Sequence, residues 1–259
     1  TILLWVIRLG SYGALATPLI VHSQFIFPFV VPKTIAFWGI AEIIFAAWLF
    51  LISVNPKYRP RFTPVIGAVM IFLAVSFASA FFGINTIRSF WSTYERMGGV
   101  IGLIHLTLFF LVLVSTFRTF PEWKRFWTVS LGVAFLIALL FFLDRFGIAI
   151  FPVETYGGST LGNSSFMGAY FLFHIFMGLW LLGASSFIEV RIFYGMFVAF
   201  LTAALWYAQA LGAFFSISAG LFLIGVITLF FGGGLKRRGA AIALFFFACI
   251  VGIVIFFGT

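Results

Sequence analysis

Nine apolar runs, each of roughly 18 residues or more, divide this chain, and any fold it adopts must shelter them from water. Their expected limits are Leu3 to Val21, Thr34 to Val54, Thr63 to Phe82, Gly98 to Phe117, Phe126 to Leu143, Asn163 to Ser185, Ile192 to Gln209, Leu211 to Phe231 and Gly239 to Phe257. Each is about long enough to cross a ~30 Å hydrocarbon core as a helix, and none alternates as a barrel strand would. Composition agrees: at 64% hydrophobic and 8% charged, 259 residues cannot hide this much apolar surface in a water-soluble core. The predicted fold class is all-α, a polytopic bundle of about nine spans forming a single transmembrane domain over residues 1–259. The seventh and eighth spans are nearly contiguous, with a tight turn between Gln209 and Gly212.

Charge provides an independent test, because short cytoplasmic loops collect Lys and Arg. With the N-terminus inside, ten basic residues fall on inner loops, namely Lys57, Arg59, Arg61, Arg118, Lys124, Arg125, Arg191, Lys236, Arg237 and Arg238. Four fall outside, Lys33, Arg88, Arg96 and Arg145, and Arg8 stays unassigned near the first span. The net charge of +9 is thus explained by topology and contact with anionic lipids, without a nucleic-acid partner. Glu95, Asp144 and Glu154 also fall outside, which makes the outer face chemically mixed and the expected seat of chemistry.

Several chemistries are disfavoured. The inner loops are too short for a nucleotide-binding domain, and the 232–239 run GGGLKRRG lacks the GK[ST] ending of a phosphate loop, so it is expected to be a hinge and anchor. Asp144 is the only aspartate, so no Asp-x-Asp pair can hold a divalent cation. His22, His105 and His174 are far apart, and the single Cys249 lies in the last run, so no metal site or cofactor is expected. His105 and His174 are expected to hydrogen-bond between helices. His22, at the outer end of the first span beside Ser23 and Gln24, is the one weak candidate for a catalytic base. Glu42, near the middle of the second span, needs a partner or a proton there.

Two outer segments carry the remaining polarity. The first, Arg88 to Gly99, reads RSFWSTYERMGG and places Arg88, Tyr94, Glu95 and Arg96 between two spans. If it is helical, Arg88, Trp91 and Glu95 share one face; the competing reading is an aromatic-belt anchor with snorkelling arginines. Arginine suits a diphosphate because its planar fork makes bidentate, charge-assisted hydrogen bonds without metal. The second, TYGGSTLGNSSFMG from Thr155 to Gly168, can present backbone N–H groups to an anion, with Asn163 or Ser164 as helix cap.

These blocks, RSFWSTYERMGG with the following Leu103-Ile104-His105-Leu106, LGNSSFMGAYFLFHIF from Leu161 to Phe176, and the Pro-Lys-Thr entry to the helix bearing Glu42, resemble the O-antigen ligase and O-antigen polymerase family. The resemblance runs in order from the first span to the eighth. It implies a multi-pass glycosyltransferase of the bacterial plasma membrane, one that moves a glycan from a polyprenyl-diphosphate carrier to a hydroxyl of a glycolipid or glycan acceptor without metal. Arg88 and Arg96 would hold the diphosphate, and Tyr94 and Glu95 would orient them or the donor sugar. Three features depart from the family pattern: Gln209-Ala210-Leu211-Gly212-Ala213 lacks the family's arginine, Trp38 stands where an arginine would partner Glu42, and no large outer loop with its histidine follows. The chain is therefore expected to be the N-terminal part of a longer protein. Two other readings compete, a transporter or flippase of lipid-linked or anionic substrates with Glu42 as coupling residue, and a non-catalytic subunit that presents lipid.

Overall fold

The computed structural model describes residues 2–148 and 157–231, together with scattered helical positions between 239 and 248. Glu154, Thr155, Lys236, Arg237, Arg238, Cys249 and most of the expected ninth span lie outside the described residues. Among the described residues the structure is helical, with no strand: α1 (Ile2–Ala16), α2 (Val31–Val54), α3 (Pro64–Phe82), α4 (Thr86–Trp91), α5 (Val100–Thr116), α6 (Phe120–Arg145), α7 (Ser164–Gly183), α8 (Ile188–Tyr207) and α9 (Leu211–Phe231). Short 3₁₀ turns stand at Thr17–Leu19, Pro56–Tyr58 and Ser159–Leu161.

Seven of these helices are long and apolar enough to cross a membrane, α1 counted with its 3₁₀ extension to Leu19. The protein is thus an all-helical, multi-pass membrane protein. α5, an apolar helix of 17 residues and about 25 Å, falls just below that length. α6 starts six residues before the expected limit at Phe126, because Thr119, Pro121 and Glu122 form a helix start and carry the helix through Lys124 and Arg125. The other starts are equally local. Thr63 accepts from the Ile66 N–H (3.3 Å) ahead of Pro64, Asn85 from the Arg88 N–H (2.9 Å), and Asn163 from the Ser165 N–H (2.7 Å). Much apolar surface is exposed, as lipid contact requires: on α3 only Ile66 and Ala80 are buried, while Ile71, Phe72, Val75 and Phe81 face outward.

The chain forms two compact units, Thr1–Thr155 and Tyr156–Thr259. In the first, α2 packs between α1 and α5 around Ile7, Ile44, Trp48, Leu51 and Val112. The approach of α1 to α2 is set at Gly10, where an added Cβ would stand 2.3 Å from Ile44 Cγ2. An aromatic layer of Tyr12, Phe117, Trp123, Phe126 and Trp127 seats α6. One end of this unit gathers Arg61, Thr63, Phe117 and Arg118, with Arg118 Nη2 donating to the Arg59 carbonyl (2.8 Å). The opposite end gathers Thr17, Lys33, Met97 and Gly98.

Arg8, which charge counting leaves unplaced, forms a salt bridge with Glu122, whose other oxygen accepts from the Arg118 and Thr119 N–H groups at 2.9 and 3.0 Å. In the second unit α7 packs against α8 and α9. There Gly168 faces Ala210 and Ala213, and Gly220 faces the Phe176 ring.

Candidate functional site at the Lys33 end of the first unit

The segment after α3 is a folded turn rather than a continuous helix. α4 ends at Trp91, and Ser92 takes φ 65°, ψ −159°, a conformation almost confined to glycine. Thr93 then accepts backbone bonds from Arg96 and Met97 (3.1 and 2.8 Å), and Met97 has φ 45°. The shared helical face of Arg88, Trp91 and Glu95 is consequently not formed, since Glu95 lies in the turn. Phe90 holds α4 in place by edge contacts to Phe77 and Phe81, both at 5.3 Å. Gly99 closes the turn: an added Cβ would lie 2.2 Å from the Phe90 carbonyl oxygen.

Arg88, Tyr94, Glu95 and Arg96 are all exposed, and no hydrogen bond or ion pair joins their side chains. The turn carries them at one end of the unit without assembling them into a buried site. Its contribution to a cavity comes instead from Met97 and Gly98. With Thr17, Lys33, Thr34, Phe37, Trp38, Gly102, Leu103 and Leu106 they line a pocket of about 280 Å³. This pocket combines one cation and two hydroxyls with an apolar wall, a lining suited to a small anionic head group on an apolar tail. Sequence reasoning placed Lys33 outside but not in a site; its signal was the Pro-Lys-Thr step at the start of α2.

Trp38 connects this pocket to Glu42. The indole stacks on the His105 ring at 4.7 Å and 12°, His105 Nε2 lies 3.0 Å from Glu42 Oε1, and His105 Nδ1 lies 2.8 Å from the Ile101 carbonyl oxygen. His105 is thus the partner that Glu42 requires, and Trp38 orients that histidine. Both ring nitrogens are engaged, as expected for a hydrogen bonder between helices.

His22 lies exposed in the connection between α1 and α2, where its Nδ1 accepts weakly from the Gln24 N–H (3.4 Å). In the second unit, Asn163 caps α7 and Ser164 is its first residue. The neighbouring Ser165 lines a pocket of about 420 Å³ with Gln209, Ala210, Leu211, Gly212 and Ser216. Two segments that the sequence offers separately, GNSSF and QALGA, thus meet, and Gln209 turns the chain between α8 and α9 with φ 53°. Among the described residues no three of His, Cys, Asp and Glu come together to hold a metal ion.

No protein-family model, no curated protein and no solved structure matches this chain. The class that its own fold defines is the multi-pass helical membrane protein, and the reading of its chemistry rests on the residues described above.

Proposed function

We propose that this protein binds a polyprenyl-diphosphate-linked glycan at the outer face of a bacterial plasma membrane and serves its transfer to a hydroxyl of a glycolipid or glycan acceptor. The layout adopted is nine spans with the N-terminus inside. It is supported by Arg59, Arg61 and Arg118 gathering at one end of the first unit and the Lys33 pocket opening at the other. The observation that carries the reading is that pocket, where the YERMGG turn lies across from a lysine above an apolar wall. Lys33 takes the diphosphate, and the exposed Arg88 and Arg96 at the same end of the unit add long-range attraction for it. In transfer, the acceptor oxygen bonds to the anomeric carbon as the bond to polyprenyl diphosphate breaks. The pair of electrons leaves with the diphosphate, and the cations stabilise the charge that develops there. The acceptor's proton needs a base, for which His22 in the connection between α1 and α2 is the candidate.

The test is binding of a polyprenyl-diphosphate lipid to the purified chain without divalent metal, for wild type, Lys33→Gln and Arg88→Gln/Arg96→Gln. Binding should fall at least tenfold in Lys33→Gln and by a smaller, salt-sensitive factor in the double variant. Equal binding by all three, or none by wild type, overturns the reading. Binding without glycan transfer would favour the lipid-presenting subunit. The transporter reading draws its support from a different observation, the Glu42–His105 pair within the span.

A further inference from the structure

Glu42 is the twelfth of the 24 residues of α2, a depth at which an ionised carboxylate costs about 2.5–3.5 kcal/mol on insertion scales. Its side chain is 66% exposed, so enclosure by protein does not account for it. The hydrogen-bond geometry does. The Ile101 carbonyl oxygen can only accept, so the 2.8 Å contact places a hydrogen on His105 Nδ1. The 3.0 Å contact between Nε2 and Oε1 then requires one further hydrogen, on the nitrogen or on the oxygen. In the first case the pair is imidazolium and carboxylate, and in the second both are neutral, so either way its net charge is zero. Removal of that single proton leaves two lone pairs facing each other and a net charge of −1 at mid-span, which apolar surroundings oppose.

From these contacts we infer that Glu42 and His105 form an intramembrane proton-binding site, in which one proton is shared between carboxylate and imidazole and exchanges at the exposed face of Glu42. Trp38, stacked on the imidazole, holds Nε2 toward α2. No other group on the surrounding helices duplicates the role. On α1, Arg8 is paired with Glu122 and Tyr12 packs against Phe117 and Phe126. Lys33 lies at the start of α2 and lines the pocket, Lys57 and Tyr58 follow its far end, and α3 has no titratable residue. α5 offers only His105 itself, and Arg88 on α4 is exposed at the Lys33 end. The site goes beyond the glycan reading and stands whether or not a lipid diphosphate binds.

Dicyclohexylcarbodiimide, an apolar reagent that adds to protonated carboxyls, tests it on the full chain in lipid nanodiscs, with adducts located by peptide mass mapping. Glu42 should be the main site modified, ahead of Glu95, Glu122, Asp144 and Glu189, which lie near helix ends or in turns. Modification should fall about tenfold per pH unit above a single midpoint, the behaviour of one proton. In His105→Asn, which keeps a polar side chain, the pH dependence of the modification should differ from that of wild type. Lack of modification at Glu42 across the accessible pH range, or a rate independent of pH in wild type, overturns the site. So does an unchanged pH dependence in a folded His105→Asn. Since the wild-type arm needs no variant, a misfolded substitution does not remove the test.

Discussion

Replacing Gly99 by alanine probes the turn that builds the Lys33 pocket. The backbone itself poses no obstacle, because Gly99 has φ −74° and ψ −176°, values any residue adopts. The obstacle is space. The new Cβ would lie 2.2 Å from the Phe90 carbonyl oxygen, 2.6 Å from its carbon and 2.9 Å from the Ser92 nitrogen. A comfortable carbon–oxygen contact is about 3.3 Å, so the turn must open by about 1 Å. All three atoms are backbone, and Phe90 is wedged against Phe77 and Phe81, so no side chain can swing aside. An overpacked site that cannot relax costs about 1–3 kcal/mol, and the upper part of that range, about 2–3 kcal/mol, is expected here. Gly98→Ala is the matched control, since its Cβ would meet nothing nearer than the Arg96 carbonyl at 3.8 Å. It should change stability by less than about 0.5 kcal/mol. Both are measured by reversible unfolding in mixed detergent micelles titrated with dodecyl sulfate, followed by far-ultraviolet circular dichroism. Equal stability of Gly99→Ala and wild type, or an equal loss in both variants, would refute the steric argument and the pocket built on it.

Three further outcomes follow from the same structure. In a double-mutant cycle of Arg8→Gln and Glu122→Gln, the partly buried pair should show a coupling of about 1–3 kcal/mol in detergent unfolding; additive losses would mean that α1 and α6 are not joined there. Ser92→Gly should stabilise the protein by about 1 kcal/mol, because Ser92 holds a conformation that costs a residue with a Cβ about 1–3 kcal/mol; destabilisation would show that the serine side chain matters more than the backbone. Gly10→Ala should destabilise, and less so in an Ile44→Ala background, where the methyl 2.3 Å away is gone; an undiminished penalty would place the clash elsewhere.

The fold was readable to the extent that it depends on apolar length and local chemistry. Runs of apolar residues marked the helices, and Asn163 was legible as the cap that starts α7. Apolar length alone misplaced the start of α6, because Lys124 and Arg125 interrupt the apolar run yet sit well in a helix, where their long stems lie along the surface. The reach of Arg8 to Glu122 was hidden for a different reason: the partners are 114 positions apart, and no periodicity encodes which helices touch.

The site shows the same limit more sharply. The YERMGG segment was visible as an anomaly of charge in an apolar chain, but its charged side chains point out, and what it gives the pocket is Met97 and Gly98, the least conspicuous of its residues. Glu42 was visible because a mid-span carboxylate demands a partner, and the sequence argument looked for that partner four residues back on the same helix. The structure supplies it from α5, 63 positions away, and uses Trp38 to steer it. An arginine four residues before Glu42 would have fixed a permanent positive charge beside the carboxylate and kept it ionised. A histidine held by Ile101 instead leaves the pair one movable proton. With Trp38 there and His105 as the partner, the proposed site is not a static ion pair but a group whose charge responds to the proton concentration on whichever side it can reach.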